Sequence, residues 1–280
     1  MSTSETPAVG PEGGPIRPRE ATAAARIGVP ARGNRRLDAL LAAANSDEQL
    51  KAWWHMQHVN ANRLGMSDHS WVHIQIVSNI ALRLFRLLHR RGIEPVMVTE
   101  HLMRAHDAEV VILAGALMHD VGMSIHRTDH EAYSLFLAAS KLPQLLEQVY
   151  EEPERTVVVA EALHAIIGHR RRGDPFTLEA GVLRVADALD LSKGRSRVPF
   201  EQGRLNIHSL SAAAIDEVKI SAGRDKAVRI EIAMNNSSGI FQVDELLATK
   251  LRGSGLEDHV EVIARIDAEH EKRLVPVFRI

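Results

Sequence analysis

Apolar residues recur at helical spacing through most of the chain. Leu37, Leu40 and Leu41, then Leu50, Trp53, Trp54 and Met56, mark helices over residues 36–44 and 46–64. Ser46-Asp47-Glu48 supplies the cap of the second and Gly65 its stop. Val72, Ile76, Val77, Ile80, Leu84, Leu87 and Leu88 form one stripe on a third helix over 69–91. The run Val110-Val111-Ile112-Leu113-Ala114-Gly115-Ala116-Leu117 predicts a buried helix over 108–118, ending in His119-Asp120. Further helices are predicted over 130–140 (capped by Thr128 or Asp129), 142–150, 154–168 and 177–191. Beyond Pro199 the period changes to two. Strands are expected over 215–221 and 226–233, joined at Gly223-Arg224-Asp225, with a helix over 241–251 and a strand over 259–266. The fold class expected is mainly α, a helical bundle followed by a small α+β C-terminal part.

Composition divides the chain into three. Residues 1–35 carry Pro, Gly, Ala, Ser and Thr with almost no large apolar groups, so a disordered tail is expected. A helical domain then spans 36–198 and the α+β region 199–280. The 280 residues are enough to bury a full core. A net charge of -2 gives no strong nucleic-acid signal. The absence of cysteine excludes disulfides, thiolate metal sites and a cysteine nucleophile, and points to the cytoplasm. No apolar run is long enough to span a membrane, and no signal-peptide pattern opens the chain, so no membrane partner is expected. Trp53, Trp54 and Trp71 fall at helix-packing positions rather than on a base-stacking platform.

Histidine is abundant, with 15 copies, and several are grouped between Asp68 and His169. Four stretches share this character: Asp68-His69-Ser70-Trp71-Val72-His73, then His119-Asp120, then His126 with His130, and last His164 and His169 leading to Asp187. Side chains on facing helices of a bundle can converge on one ion although far apart in sequence. Imidazole nitrogen and carboxylate oxygen suit one or two divalent transition-metal ions, Mn, Fe, Co, Ni or Zn, better than Mg. His164 and His169 would lie roughly 140° apart on one continuous helix, so one metal should not take both.

The order and spacing of these motifs resemble the HD superfamily of metal-dependent phosphohydrolases, whose signature is H…HD…D on a helical bundle. The matching residues are His73, the pair His119-Asp120, and Asp187 in Val185-Ala186-Asp187-Ala188-Leu189-Asp190. His73 is preferred to His69 because Val77 and Ala81 follow it at the family's spacing, and Asp187 to Asp190 because it occupies the family's final aspartate. Asp190, three positions on, is placed to support a ligand. Dinuclear branches of the family add two histidines; His130 and His169 fit those places, with His126 and His164 as alternatives. The resemblance implies metal ligands His73, His119, Asp120, His130, His169 and Asp187, with Asp120 bridging two ions and orienting the water. The chain departs from the frequent His-Asp-x-Gly-Lys form at Met123, and lacks a Gly-Tyr-Pro tripeptide after the later histidine.

An ion held there lowers the pKa of a bound water towards about 7. Phosphoryl oxygens also need cations. Lys193, Arg195 and Arg197 follow the Asp187 helix, and Arg170, Arg171 and Arg172 follow His169. Lys193 and Arg195 are expected to aid the chemistry, and Lys193, Arg195, Arg197 and Arg170 to bind the substrate. The expected partner is a small phosphorylated compound such as a nucleotide, hydrolysed as a phosphomonoester or phosphodiester. Two other functions compete: a di-iron oxygenase on the same ligand set, and a non-catalytic protein binding a nucleotide or partner. The C-terminal region has two readings, shaping the substrate mouth or pairing subunits of a homo-oligomer.

Overall fold

The most apolar run of the sequence becomes the central helix. In the computed structural model, which describes residues 16–31, 33–191 and 211–266, α6 (Ala105–Met118) is buried at every position from Asp107 to Met118. A helix apolar on all sides must be surrounded. Around it pack α2 (Arg35–Ser46), α4 (Trp71–Arg90), α8 (Glu154–Gly168) and α9 (Leu178–Ala188). The other helices of the bundle are α1 (Pro18–Thr22), α3 (Glu48–Leu64), α5 (Val96–Thr99) and α7 (His130–Leu145).

Local chemistry sets the helix ends. Asp47, not Ser46, caps α3 by accepting from Leu50 N–H at 2.7 Å, and Gly65 ends it at φ 63°. Ser70 caps α4 through Val72 N–H, so this helix starts two residues later than periodicity indicated. Two expectations need correction. Residues 142–150 are not a separate helix, since α7 continues through Pro143 to Leu145 and the chain then turns. The second half of the expected disordered tail is ordered: Pro18–Thr22 is helical, and Ala21, Ala25 and Ile27 are buried. Asn45 holds both the N–H and the C=O of Ile27 at 2.8 Å, supplying the hydrogen bonds that a composition argument cannot see.

After the bundle, β1 (Ile215–Ala222) and β2 (Val228–Met234) pair antiparallel, and β3 (Val260–Ile266) joins β2 in parallel, giving the order β1-β2-β3. A parallel neighbour requires a crossover. It is made by a 3₁₀ turn, a π-helix (Gln242–Ala248) and a last α-helical turn (Thr249–Leu251). Ile215, Val228, Ile230, Ile232 and Leu247 belong to the same buried cluster as α4, α6 and α9. Arg91, at the end of α4, donates to the carbonyls of Gly223, Arg224 and Lys226 and fastens the β1–β2 turn. The sheet is therefore built onto the bundle rather than beside it. No helix among the described residues is long and apolar enough to cross a membrane.

Candidate metal centre

The end of α6 is held from several sides. The buried indole N–H of Trp54 donates to the carbonyl of Leu117 at 3.0 Å, next to the His119-Asp120 pair. A 3₁₀ turn, Val121–Ser124, follows, and Asn60 of α3 donates to the carbonyls of Met123 and Ser124 at 2.9 and 3.0 Å. Gly122 N–H donates to Ser134 Oγ at 2.8 Å, so α7 lies directly against the turn. A Cβ on Gly122 would collide with the His130 carbonyl oxygen and the Ser134 amide nitrogen. Only glycine permits α7 to approach closely enough to place His130 beside Asp120.

The six expected ligand residues come together. His73 is in the first turn of α4, His119 and Asp120 follow α6, His130 begins α7, His169 caps α8 and Asp187 is in the last turn of α9. They form two groups, His73 with His119 and Asp187, and Asp120 with His130 and His169. Asp120 connects them. Its Oδ2 lies 3.4 Å from Nε2 of both His73 and His119, and its Oδ1 lies 3.2 Å from His130 Nε2 and 3.7 Å from His169 Nε2. Asp187 Oδ1 is 3.4 Å from His73 Nε2 and 3.9 Å from His119 Nε2. Of the alternatives, His126 is exposed with its ring at the Thr128 backbone, and His164 stacks on Phe176.

Each imidazole turns its Nδ1 away from the centre. His73 Nδ1 meets Asp190 Oδ2 at 2.6 Å, His119 Nδ1 the Ala116 carbonyl at 2.8 Å, and His169 Nδ1 the Ile166 carbonyl at 2.5 Å. His130 Nδ1 faces Arg127, with the carbonyl at 3.1 Å and the guanidinium at 2.8 Å. This arrangement itself fits a cation. With the Nδ1–H of His73 and His119 donated outward, their Nε2 atoms, 3.3 Å apart, are two facing lone pairs. A metal ion held by those nitrogens and the carboxylates would relieve their repulsion.

Burial alone would push the Asp120 carboxyl up, but His119, His130 and His73 outweigh it and hold it well below the carboxylate range. Burial, then the charges of His119 and Lys250, bring His169 down to about 3, so its ring is neutral and ready to ligate at ordinary pH.

A cavity of about 540 Å³ opens over Asp120, His130, His169 and Asp187. Lys193, Arg195 and Arg197 lie outside the described residues. Arg171 rather than Arg170 faces the cavity, and its guanidinium is joined to Glu245 at 3.0 Å. Two further cavity cations, Arg127 and Lys250, were not singled out in the sequence. Arg127 lies three residues before His130 and was within reach of a motif argument. Lys250 is 63 residues after Asp187, with which it is ion-paired, and no spacing rule points to it.

The HD domain family matches residues 67–192, the stretch that contains all six ligand candidates. An uncharacterized protein of Methanocaldococcus jannaschii is 40% identical over 207 residues, covering 74% of this chain and 80% of that protein. No solved structure matches. With its signature residues gathered around one carboxylate, the chain belongs to the HD domain family.

Proposed function

We propose that the protein is a metal-dependent phosphohydrolase, cleaving a phosphomonoester or phosphodiester of a nucleotide or related compound. The observation that carries this reading is Asp120, whose two oxygens face two separate ligand groups at the floor of a cavity. A divalent ion bound there supplies an activated water at neutral pH and neutralises phosphoryl oxygens. Asp120 and Asp187 would provide the anionic ligands, and His73, His119, His130 and His169 the neutral ones. Buried Asp190 fixes the plane of the His73 ring. Arg127, Arg171 and Lys250 line the cavity and offset the substrate's negative charge.

The test uses metal-free protein reloaded separately with Mn, Fe, Co, Ni and Zn. Each form is offered nucleotides, cyclic dinucleotides and simple phosphate esters. Phosphate or nucleotide release that depends on an added ion supports the reading. Oxygen consumption by the iron form without phosphate release would replace it with oxygenase chemistry, and binding of a nucleotide with no turnover under any ion would replace it with a sensor.

A further inference from the structure

Part of the cavity wall comes from beyond the matched HD region. Ala212, Gln242, Glu245, Leu246, Thr249 and Lys250 line it together with the ligand residues. Most of these lie on the crossover between β2 and β3, where the helix is of the i→i+5 type, an irregularity frequent at functional sites. The three described cations of the cavity differ in setting. Arg171 is 69% exposed in its side chain and joined to Glu245. Arg127 lies against His130. Lys250, only 18% exposed, is placed directly on a ligand residue, with Nζ ion-paired to Asp187 Oδ2.

The seat of Lys250 is built. Arg184 of α9, itself buried, sends Nε to the Lys250 carbonyl at 2.8 Å and Nη2 to the Arg171 carbonyl at 2.9 Å. Its Nη1 donates to the carbonyls of Gly168 and Arg170. One guanidinium thus joins the backbone on either side of His169 to the backbone of Lys250. A second fastening lies one turn earlier on α9, where a Cβ on Gly181 would collide with the Ser254 carbonyl oxygen. The segment that carries Lys250 is therefore bolted to the helix that carries Asp187.

We propose that Lys250 is the phosphate-binding cation of this site, which makes the C-terminal region part of the active centre. The inference rests on the phosphohydrolase reading for its substrate class, and on the geometry above for the residue. An ammonium has three donors, of which Asp187 takes one, and the others are available to non-bridging phosphoryl oxygens in the cavity. Asp187 presents Oδ1 to His73 and His119 and Oδ2 to Lys250, so one carboxylate aligns the ligand cluster and the cation together. A lysine acts as a point charge without a preferred in-plane geometry, which suits anions of several shapes.

The test measures inorganic phosphate binding to the Mn-loaded full chain by calorimetry, with metal content determined beside it, for the parent, Lys250→Gln and Lys250→Arg. Parental metal content, a phosphate affinity weakened by about tenfold or more in Lys250→Gln, and substantial recovery in Lys250→Arg support the proposal. Unchanged phosphate binding in Lys250→Gln overturns it, as does a parent that binds no phosphate. Metal content lost in step with phosphate binding also overturns it, since the lysine would then only position Asp187. Melting curves of both variants separate these outcomes from misfolding, and recovery in Lys250→Arg answers for Lys250→Gln if that variant is unstable. Lys250-dependent phosphate binding without turnover of any ester would leave this inference standing while the hydrolase reading fails.

Discussion

Two carboxylates near the start of α4 do different work. Asp190 accepts from His73 and sets which nitrogen of that ring faces the ligand cluster. Asp190→Ala should leave the fold intact and weaken Mn binding about 10–100-fold by titration calorimetry; parental affinity would show that packing alone orients His73. Asp68 instead supports the entry to the helix. Burial would raise its pKa, but hydrogen bonds from His58 and from the Ser70 hydroxyl and N–H hold it well below 3.8. A carboxyl depressed on folding contributes stability that is complete above its unfolded value and is lost as pH falls through the folded one. Asp68→Asn should therefore cost about 1–2 kcal/mol at pH 7, and the gap to the parent should close as pH falls below about 4. Urea melts at several pH values measure this, and a gap that widens in acid contradicts the assignment. At this scale His73, His119, Asp120 and Asp187 were legible through the resemblance to the HD family's signature. Lys250 was illegible because its partner is set by a tertiary crossover.

Elements were readable where burial has a period, and less so where a tertiary contact overrides a local rule. The stripes of α4 and the apolar run of α6 appear where expected, and α8 runs from Glu154 to Gly168 as the pattern indicated. Pro143 reads locally as a break, yet α7 passes through it to Leu145. Alternation located β3 but said nothing of its direction, which is fixed by the crossover. Gly122 shows how closely elements are fitted at the site. Gly122→Ala forces the 3₁₀ turn and α7 apart, because both obstructing atoms belong to the backbone of α7. A loss of about 1–3 kcal/mol is expected, and His130 should withdraw from Asp120. Metal analysis of the purified variant should show a deficit at the Asp120–His130–His169 group. A variant with parental stability and metal content would mean that the turn relaxes without moving the helix.

Across the whole molecule, the ligand residues come from α4, the end of α6, α7, the end of α8 and α9, so one cluster ties together most of the bundle. The C-terminal sheet is joined to the same framework through the shared core, Arg91 and Arg184. Composition and a change of period marked a boundary near residue 199, but neither measures how much core two segments share, and a disordered leader could not be told from one pinned by Asn45. The consequence is thermodynamic. In the unfolded chain successive ligands are separated by as many as 46 residues, the interval from His73 to His119, so the site exists only in the folded state. An ion that binds the folded state alone stabilises it by RT ln(1 + [L]/Kd), about 2.7 kcal/mol at a hundredfold excess over Kd. For a chain of this size that raises Tm by roughly 5–10 °C. Chelation should lower Tm by the same amount, and re-addition of Mn should restore it. The shift should vanish in a His119→Ala, Asp120→Ala double variant, because Asp120 serves both ligand groups. A double variant that still responded to the ion in full would place the stabilising metal elsewhere, and Asp120 would lose its role as the connecting carboxylate.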